Sequence, residues 1–229
     1  MKKAVITAVF SNKNKPIDLP IVKDKLDGWD YICFTNCARL EKTSIGWEIK
    51  RIVTDNCTPV MMSKIIKWNA HKYVEHDIMI WVDGYLSPRI NRNWDLPIKD
   101  YLEKNFQGFY MIKHPDRKCV FKELNEVVDQ KKETQSRMNS LKKFLTKEKM
   151  VKNYGMYHCN IFIRFLKNKK VNEMLENMIN IMKKFTNRDQ TIFTYILWKN
   201  NYNDIKLLNE ISTCKWWIRS GKKLRKHNY

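Results

Sequence analysis

Strand-length apolar stretches, separated by segments with helical spacing, constrain the fold of this chain more than any other feature. Several of them, such as 4–10 and 78–82, are apolar almost throughout and do not alternate with polar residues. Continuous apolar strands are typical of parallel sheets that are covered on both faces. The alternation predicts an α/β, Rossmann-like fold with a mainly parallel central sheet of about six strands flanked by helices. The predicted strands are 4–10, 31–35, 47–53, 78–82, 108–112 and 160–165, and the predicted helices are 61–74, 96–106, 171–185 and 189–199.

The stretch near residues 121–150 has a different pattern. It is highly charged, and its apolar residues recur at helical spacing. This predicts one or two amphipathic helices that lie against the main body of the protein. The apolar residues of this stretch are Leu124, Val127, Val128, Met138, Leu141, Phe144 and Leu145.

No internal repeat or long linker interrupts the chain, so we expect residues 1–229 to form one domain.

Composition excludes several classes of protein. Of the 229 residues, 43% are hydrophobic and 12% aromatic, so the chain can bury a core and is not disordered as a whole. Its longest apolar run, 78–82, is far shorter than the roughly 20 residues of a membrane-spanning helix. No signal-peptide cleavage site follows the stretch 4–10, and the 6 cysteines form no CxxC pair. These features predict a cytoplasmic protein with free thiols and neither a membrane span nor a zinc knuckle.

The strong positive charge indicates an anionic partner. There are 44 lysines and arginines against 24 acidic residues, a formal net charge of +20 at pH 7. Nucleic acid, phosphorylated small molecules and a membrane surface are all compatible with such a charge. The basic residues are mostly lysines, whereas proteins that recognise bases depend on arginine, and no nucleic-acid-binding motif is present. Nucleic acid is therefore the less favoured partner.

The most informative single segment is the apolar run 78–82 with the Asp83-Gly84 pair that ends it. A carboxylate that follows a buried strand lies at the carboxyl edge of the sheet, where open α/β folds bind ligands. There it can hold Mg²⁺ or Mn²⁺ on a substrate diphosphate, because hard cations prefer oxygen ligands. The alternative is that Asp83 only opens the turn at Gly84.

Six short motifs follow one another along the chain. They are Phe34-Thr35, Ser63-Lys64-Ile65-Ile66-Lys67 with His71, Trp81-Val82-Asp83-Gly84, His114-Pro115-x-Arg117-x-Cys119 with Glu123, Tyr154-Gly155 through Arg164, and Arg188-Asp189-Gln190. In this order they resemble one branch of the GT-A nucleotide-sugar glycosyltransferases. That branch is a glycosyltransferase-like domain of plants, bacteria and large algal viruses, catalogued as a domain of unknown function. Two positions depart from its pattern: Tyr85 stands where a second Asp of a DxD motif could be, and Lys64 where the family more often has Arg.

The resemblance implies a GT-A-like domain with metal-assisted hexosyl- or deoxyhexosyltransferase activity. The donor would be a nucleotide sugar, UDP-linked in our expectation, and the acceptor a glycan or glycoprotein. Asp83 would be the ligand of Mn²⁺ or Mg²⁺. Lys64 and Lys67 lie three residues apart and share a helix face, which could face the diphosphate or simply solvent. The residues placed at the nucleotide sugar are Val9, Phe10, Thr35, Lys64, Lys67, Asp83, Gly84, Tyr85, Arg188 and Gln190.

The catalytic residues that the resemblance implies are Asp189, Asn160 and His114. Asp189 begins an apolar helix, where it could accept the acceptor proton or stabilise positive charge at the anomeric carbon, or could only cap the helix. Asn160 could hydrogen-bond a sugar or an acceptor. His114 and Arg117 follow a strand in a loop, where functional residues concentrate. Arg117 could instead pair with Glu123 as a structural clamp.

Two further hypotheses fit the sequence. One is a basic nucleic-acid-binding module that uses the lysine-rich stretch 122–152 and the C-terminal tail. The other is a non-catalytic glycosyltransferase-like protein, because the DxD motif is incomplete. In the tail, His227 is a late histidine that could complete a metal site, and we expect that it does not.

Overall fold

The computed structural model describes residues 1–12, 18–54, 57–208 and 215–223. The strands within these ranges are β1 (Lys3–Val9), β2 (Asp18–Leu19), β3 (Asp30–Thr35), β4 (Glu48–Arg51), β5 (Ile78–Val82), β6 (Leu86–Pro88), β7 (Phe109–Lys113), β8 (Tyr157–Phe165), β9 (Ile205–Leu207), β10 (Trp217–Arg219) and β11 (Lys222–Lys223). The helices are α1 (Arg39–Thr43), α2 (Pro59–Trp68), α3 (Asp95–Glu103), α4 (Val120–Asp129), α5 (Gln135–Lys147), α6 (Lys169–Phe185) and α7 (Asp189–Lys199). The cysteines in these ranges are free thiols, as predicted, whereas His227 lies outside the described residues.

One mixed sheet of seven strands forms the centre of the fold, in the order β4-β3-β1-β5-β8-β7-β9. β8 is antiparallel to both of its neighbours, and the other neighbouring pairs are parallel. The predicted α/β class, with a mainly parallel central sheet flanked by helices, is confirmed. The sheet has one strand more than expected, because β9 is only 3 residues long and carries no continuous apolar run. The short strands β6 and β10 pair with each other, as do β2 and β11.

Both faces of the sheet are buried, which explains why its strands are apolar throughout. Successive residues of a strand point to opposite faces. In β1, Ile6 and Ala8 belong to a core cluster that includes residues of α2, α4, α5, α6 and α7. Val5 and Val9 belong to a second cluster, with residues of α1 and α3. Helices therefore cover the sheet on both sides.

Helix α2 differs from the predicted helix 61–74 at both ends. It begins earlier, at Pro59, because the side chain of Thr58 caps its first turn. It ends at Trp68, and the chain continues as a 3-10 turn at Ala70–Lys72. None of the helices in the described ranges combines the length and the apolarity that crossing a membrane requires.

Residues 121–150 fold into α4 and α5, which pack against α6 and α7. Three carboxylates of this segment hold α7 and the loop before it. Glu123 accepts a hydrogen bond from Gln190 (3.1 Å), Glu133 from the Thr186 hydroxyl (3.0 Å) and Glu148 from the Tyr195 hydroxyl (3.0 Å). Because Asp189 is the first residue of α7, these contacts also fix its position.

The antiparallel direction of β8 brings its first residues to the edge where the parallel strands end. Val82, the last residue of β5, pairs with Ile161. His158 and Asn160, which precede Ile161, therefore lie at the same carboxyl edge as Asp83. The apolar pattern of a strand buried on both faces does not show its direction, so this position of β8 was not predictable from the sequence.

Candidate functional site

Asp83 lies directly after β5, with one carboxylate oxygen fixed and its side chain still reaching solvent. Its backbone N–H donates to the Asn160 carbonyl (3.0 Å), and the Trp81 indole N–H donates to Asp83 Oδ1 (3.1 Å). The side chain is 35% exposed. Gly84 follows in a crowded turn, where a Cβ would lie 2.6 Å from Val9 Cγ2. The turn therefore brings the end of β1 next to Asp83.

Lys67, near the end of α2, lies between two carboxylates. Its Nζ is 2.8 Å from Asp189 Oδ2 and 3.8 Å from Asp83 Oδ1, and its side chain is only 2% exposed. The rings of Trp68 and Trp81 lie beside the ammonium, with centroids 5.5 and 5.3 Å from Nζ. Burial by itself lowers the pKa of Lys67, but the carboxylates of Asp189 and Asp83 outweigh it and raise the pKa above its ordinary value. Lys67 is therefore an enclosed positive charge that joins Asp83 to Asp189.

Asp189 has both carboxylate oxygens bound. Lys64 Nζ lies 2.9 Å from Oδ1, while Lys67 Nζ and the Trp68 indole N–H (3.1 Å) contact Oδ2. Burial by itself raises the pKa of Asp189, but the two lysines hold it well below its usual range. Arg188 occupies the N-cap position of α7, so the interpretation of Asp189 as the N-cap residue is wrong. A carboxylate held ionised in this way is a weak proton acceptor.

Lys64 differs from Lys67 in its exposure, although both contact Asp189 from one face of α2. Its side chain is 20% exposed. Burial lowers the pKa of Lys64, and the charge of Asp189 opposes this effect. Lys64 can therefore reach an anion at the sheet edge, whereas Lys67 is enclosed by the core. We call Lys64, Lys67, Asp83 and Asp189 the lysine–aspartate cluster.

A second group of polar side chains adjoins this cluster through Gln190, the residue after Asp189. Gln190 Nε2 donates to Glu123 Oε1 (3.1 Å), and Arg117 Nε donates to Glu123 Oε2. The clamp between Arg117 and Glu123, one of the two alternatives raised by the sequence, is therefore present. Burial raises the pKa of Glu123, although the charge of Arg117 opposes it.

His114 follows β7 and fixes the loop that carries Arg117. Its Nδ1 accepts hydrogen bonds from the backbone N–H groups of Asp116 (3.2 Å) and Arg117 (3.0 Å). The ring is buried, and burial, together with the charge of Arg117, lowers the pKa of His114 to about 4. At neutral pH the ring is uncharged, and its Nε2 also lies 3.2 Å from Arg117 Nη2. The geometry of His114 supports a role in holding the loop.

Two side chains from the start of β8 complete this edge of the sheet. The His158 ring centroid lies 5.8 Å from that of His114, and burial lowers the pKa of His158. Asn160 Oδ1 is buried and has no hydrogen-bond partner among the described residues. A buried oxygen of this kind is a group that a ligand hydroxyl can satisfy.

The residues expected to line the nucleoside lie at the ends of β1 and β3. Val9, Phe10 and Thr35 are buried. The Thr35 hydroxyl donates to the Val9 carbonyl (2.6 Å) and accepts a hydrogen bond from the Cys37 backbone N–H (2.9 Å). The hydroxyl therefore joins the ends of β1 and β3, and the backbone of these residues lies at the carboxyl edge of the sheet.

Tyr85, after Gly84, packs against the C-terminal segment 215–223. The Arg219 guanidinium carbon lies 5.9 Å from the Tyr85 ring centroid, and the Gly221 backbone N–H donates to the Tyr85 carbonyl (3.2 Å). Burial raises the pKa of Tyr85, and the charge of Asp83 adds to the effect. In the sequence Arg219 stands out only as part of a basic tail, whereas in the structure it lies beside a predicted site residue.

Trp68 contacts Asp189 but is absent from the residues that the sequence motifs indicate. Its ring is stacked between those of Phe162 and Phe193, with centroids 4.9 and 4.7 Å away. Trp68 falls within the predicted helix 61–74, and its ring is buried in the core. Only the fold shows that its N–H reaches a carboxylate on another helix.

The described residues contain no group of three or more His, Cys, Asp or Glu side chains that could hold a metal ion. Asp83 is nevertheless an accessible carboxylate at the sheet edge. Mg²⁺ is commonly held by one or two protein carboxylates together with phosphate oxygens of a substrate. Asp83 therefore fits a cation shared with a bound diphosphate, and the described residues do not form a metal centre that is complete without one.

Comparisons with known proteins found similarity to solved structures but to no known sequence family. No family model and no curated protein sequence matches this chain. The chain is similar to the crystal structure of mouse xyloside xylosyltransferase 1 in its apo form, with 8% sequence identity and a TM-score of 0.48. The match covers 90% of this chain and 84% of the mouse chain. At this identity and TM-score it assigns the chain neither a family nor an activity.

Proposed function

We propose that this chain is a GT-A-like glycosyltransferase that moves a sugar from a nucleotide donor, UDP-linked, to a hydroxyl of a glycan acceptor. The observation that carries the proposal is the lysine–aspartate cluster at the carboxyl edge of a mainly parallel sheet. Ligands bind at this edge in open α/β folds. The partly exposed ammonium of Lys64 in this cluster suits a nucleoside diphosphate, the anionic group that leaves when the sugar is transferred.

The nucleotide sugar would lie across the ends of β1, β3 and β5. Val9, Phe10 and Thr35 would line the nucleoside, and Gly84 lets the end of β1 pack against the turn beside Asp83, where the diphosphate would lie. Tyr85, which is in the same turn as Gly84, would also lie beside the nucleotide. Arg188 and Gln190 flank Asp189 at the start of α7, which suits them to contact the sugar.

Of the two lysines in the cluster, Lys64 is the one placed to contact phosphate directly. It combines a charged partner in Asp189 with partial exposure, whereas Lys67 is enclosed. An ammonium–phosphate contact stabilises the leaving diphosphate through a charge-assisted hydrogen bond. When Mn²⁺ or Mg²⁺ is bound, its contribution at Asp83 is to neutralise charge on the same diphosphate.

The three proposed catalytic residues have different tasks. The two lysines keep Asp189 ionised and its pKa far below neutral pH, so the task proposed for it is charge stabilisation at the anomeric carbon and not proton transfer. Asn160 offers a buried oxygen without a partner among the described residues, so it suits a hydroxyl of the sugar or acceptor. His114 holds the loop of Arg117, next to the clamp that reaches Gln190.

Calorimetry with UDP, with and without Mn²⁺, and a transfer assay with UDP-sugars test the proposal. We expect UDP binding that weakens in the variant Lys64→Ala and not in the control Lys142→Ala, an exposed lysine of α5. Failure to bind UDP, together with tight binding of an oligonucleotide, would instead identify a nucleic-acid-binding module. UDP binding without transfer to any of a panel of acceptors would identify a non-catalytic protein of this fold.

A further inference from the structure

Arg164, in β8, is a buried charge whose hydrogen-bond partners are all neutral. Its side chain is fully buried, and the partners among the described residues are the Trp68 carbonyl, the Asn172 side-chain oxygen and the His71 ring. Burial lowers the pKa of Arg164 to about 9, so the guanidinium is still charged at neutral pH. Because a buried charge without a counter-charge is costly, a core apolar residue would be the more stable choice here.

One of these contacts is made to the end of α2. Arg164 Nη1 donates to the Trp68 carbonyl (2.6 Å), which belongs to the last residue of the helix. The last carbonyls of a helix lack partners within it and carry the negative end of the helix dipole. The guanidinium therefore provides a hydrogen-bond donor to a carbonyl at the end of α2, which is buried among aromatic rings.

The same turn of α2 carries two of the three groups that bind Asp189. Trp68 donates its indole N–H to Asp189 Oδ2, and Lys67 lies 2.8 Å from the same oxygen. The Trp68 ring is held between two phenylalanine rings, so its N–H direction depends on the position of the turn. Arg164 itself makes no hydrogen bond to Asp189.

We propose that Arg164 is a positioning residue. Through the Trp68 carbonyl it fixes the last turn of α2, and thereby the indole N–H of Trp68 and the ammonium of Lys67 on Asp189. The effect on turnover rests on the proposed glycosyltransferase function, whereas the effect on the Trp68 hydrogen bond does not.

The hydrogen bonds on the other side of Arg164, which run through His71 to Glu176, supply a control. Arg164 only donates hydrogen bonds, so His71 Nδ1, 3.3 Å from Nη2, is an acceptor, and the neutral ring carries its proton on Nε2. That nitrogen lies 3.0 Å from Glu176 Oε1, and Lys72 Nζ lies 2.7 Å from Glu176 Oε2. The variant Glu176→Gln weakens the network at its partly exposed end, away from Trp68.

The first test is an NMR spectrum of the protein with ¹⁵N-labelled indole groups. Among 8 tryptophans, Trp68→Phe removes one N–H signal and so assigns it. Arg164→Lys keeps the charge, but it replaces the two separate nitrogens that bind the Trp68 carbonyl and Asn172 with a single ammonium. We expect the Trp68 signal to shift in Arg164→Lys and to stay in place in Glu176→Gln. An unmoved signal in a folded Arg164→Lys protein overturns the proposal.

The second test is turnover per folded molecule at saturating nucleotide sugar. We expect kcat to fall about tenfold in both Trp68→Phe and Arg164→Lys, with KM little changed, because a charge-assisted hydrogen bond is lost or misdirected. Normal kcat in Trp68→Phe overturns the proposal even if Arg164→Lys fails to fold. If the wild-type protein transfers no sugar, the proposed function fails, and the Trp68 signal still decides the role of Arg164.

Discussion

Lys67 Nζ and Asp189 Oδ2 lie 2.8 Å apart, in a pair whose side chains are 2% and 7% exposed. The pair connects α2 to α7, two helices on the same face of the sheet. Either charge, if left alone in the core, carries the full cost of its lost hydration. The cluster should therefore depend on the balance of its charges more than on any one contact.

Removing one charge should destabilise the protein more than removing the pair. For Lys67→Met we expect a loss of about 3–5 kcal/mol in the free energy of unfolding, because Asp189 keeps only Lys64 as an ion-pair partner. In the double variant Lys67→Met/Asp189→Leu the partly exposed Lys64 can turn to solvent. We expect the double variant to lose less free energy of unfolding than Lys67→Met alone, and therefore less than the sum of the two single variants. Urea unfolding followed by circular dichroism measures this, and additive losses would contradict it.

Lys64→Ala should weaken binding of UDP by about tenfold or more and leave binding of uridine nearly unchanged. The reason is that a charge-assisted contact to phosphate contributes roughly 1.5–3 kcal/mol, and uridine has no phosphate. Calorimetry with both ligands measures the difference, with Lys142→Ala as the matched control. Equal weakening of UDP and uridine would mean that Lys64 acts only through Asp189 and the structure of α7.

The sequence predicted the elements with strong local patterns and missed contacts between distant ones. The strand Ile78–Val82 and the helix Asp189–Lys199 have the predicted bounds, because a continuous apolar run and a helical apolar pattern are local signals. The ion pair of Lys64 with Asp189 joins residues 125 positions apart, so no local pattern contains it. Asp189 consequently looked like a helix cap as well as a catalyst, and the fold was needed to exclude the first alternative.

Asp83→Asn should remove the metal-dependent part of UDP binding while the protein remains folded. Asn keeps an oxygen to accept the Trp81 N–H, but it lacks the negative charge that holds a hard cation. For the wild-type protein we expect Mn²⁺ to bind measurably only when UDP is present, because the described residues supply no complete metal centre. Calorimetric titrations of Mn²⁺ and UDP, separately and together, measure both effects. Equal stimulation of UDP binding by Mn²⁺ in both proteins would exclude Asp83 as the ligand.

His114 should make the stability of the protein depend on pH in the acid range. Its pKa of about 4 in the folded protein lies below its ordinary value of 6.5, so the unfolded chain binds the proton more readily. The stabilising effect is therefore fully present above pH 6.5 and is lost as the pH falls through about 4. His114→Asn keeps an oxygen that can accept the backbone N–H groups of the loop but does not titrate. Urea unfolding from pH 7 to 4 should show a steeper loss in the wild-type protein than in His114→Asn, whereas parallel curves would mean that the ring is protonated as easily in the fold as outside it.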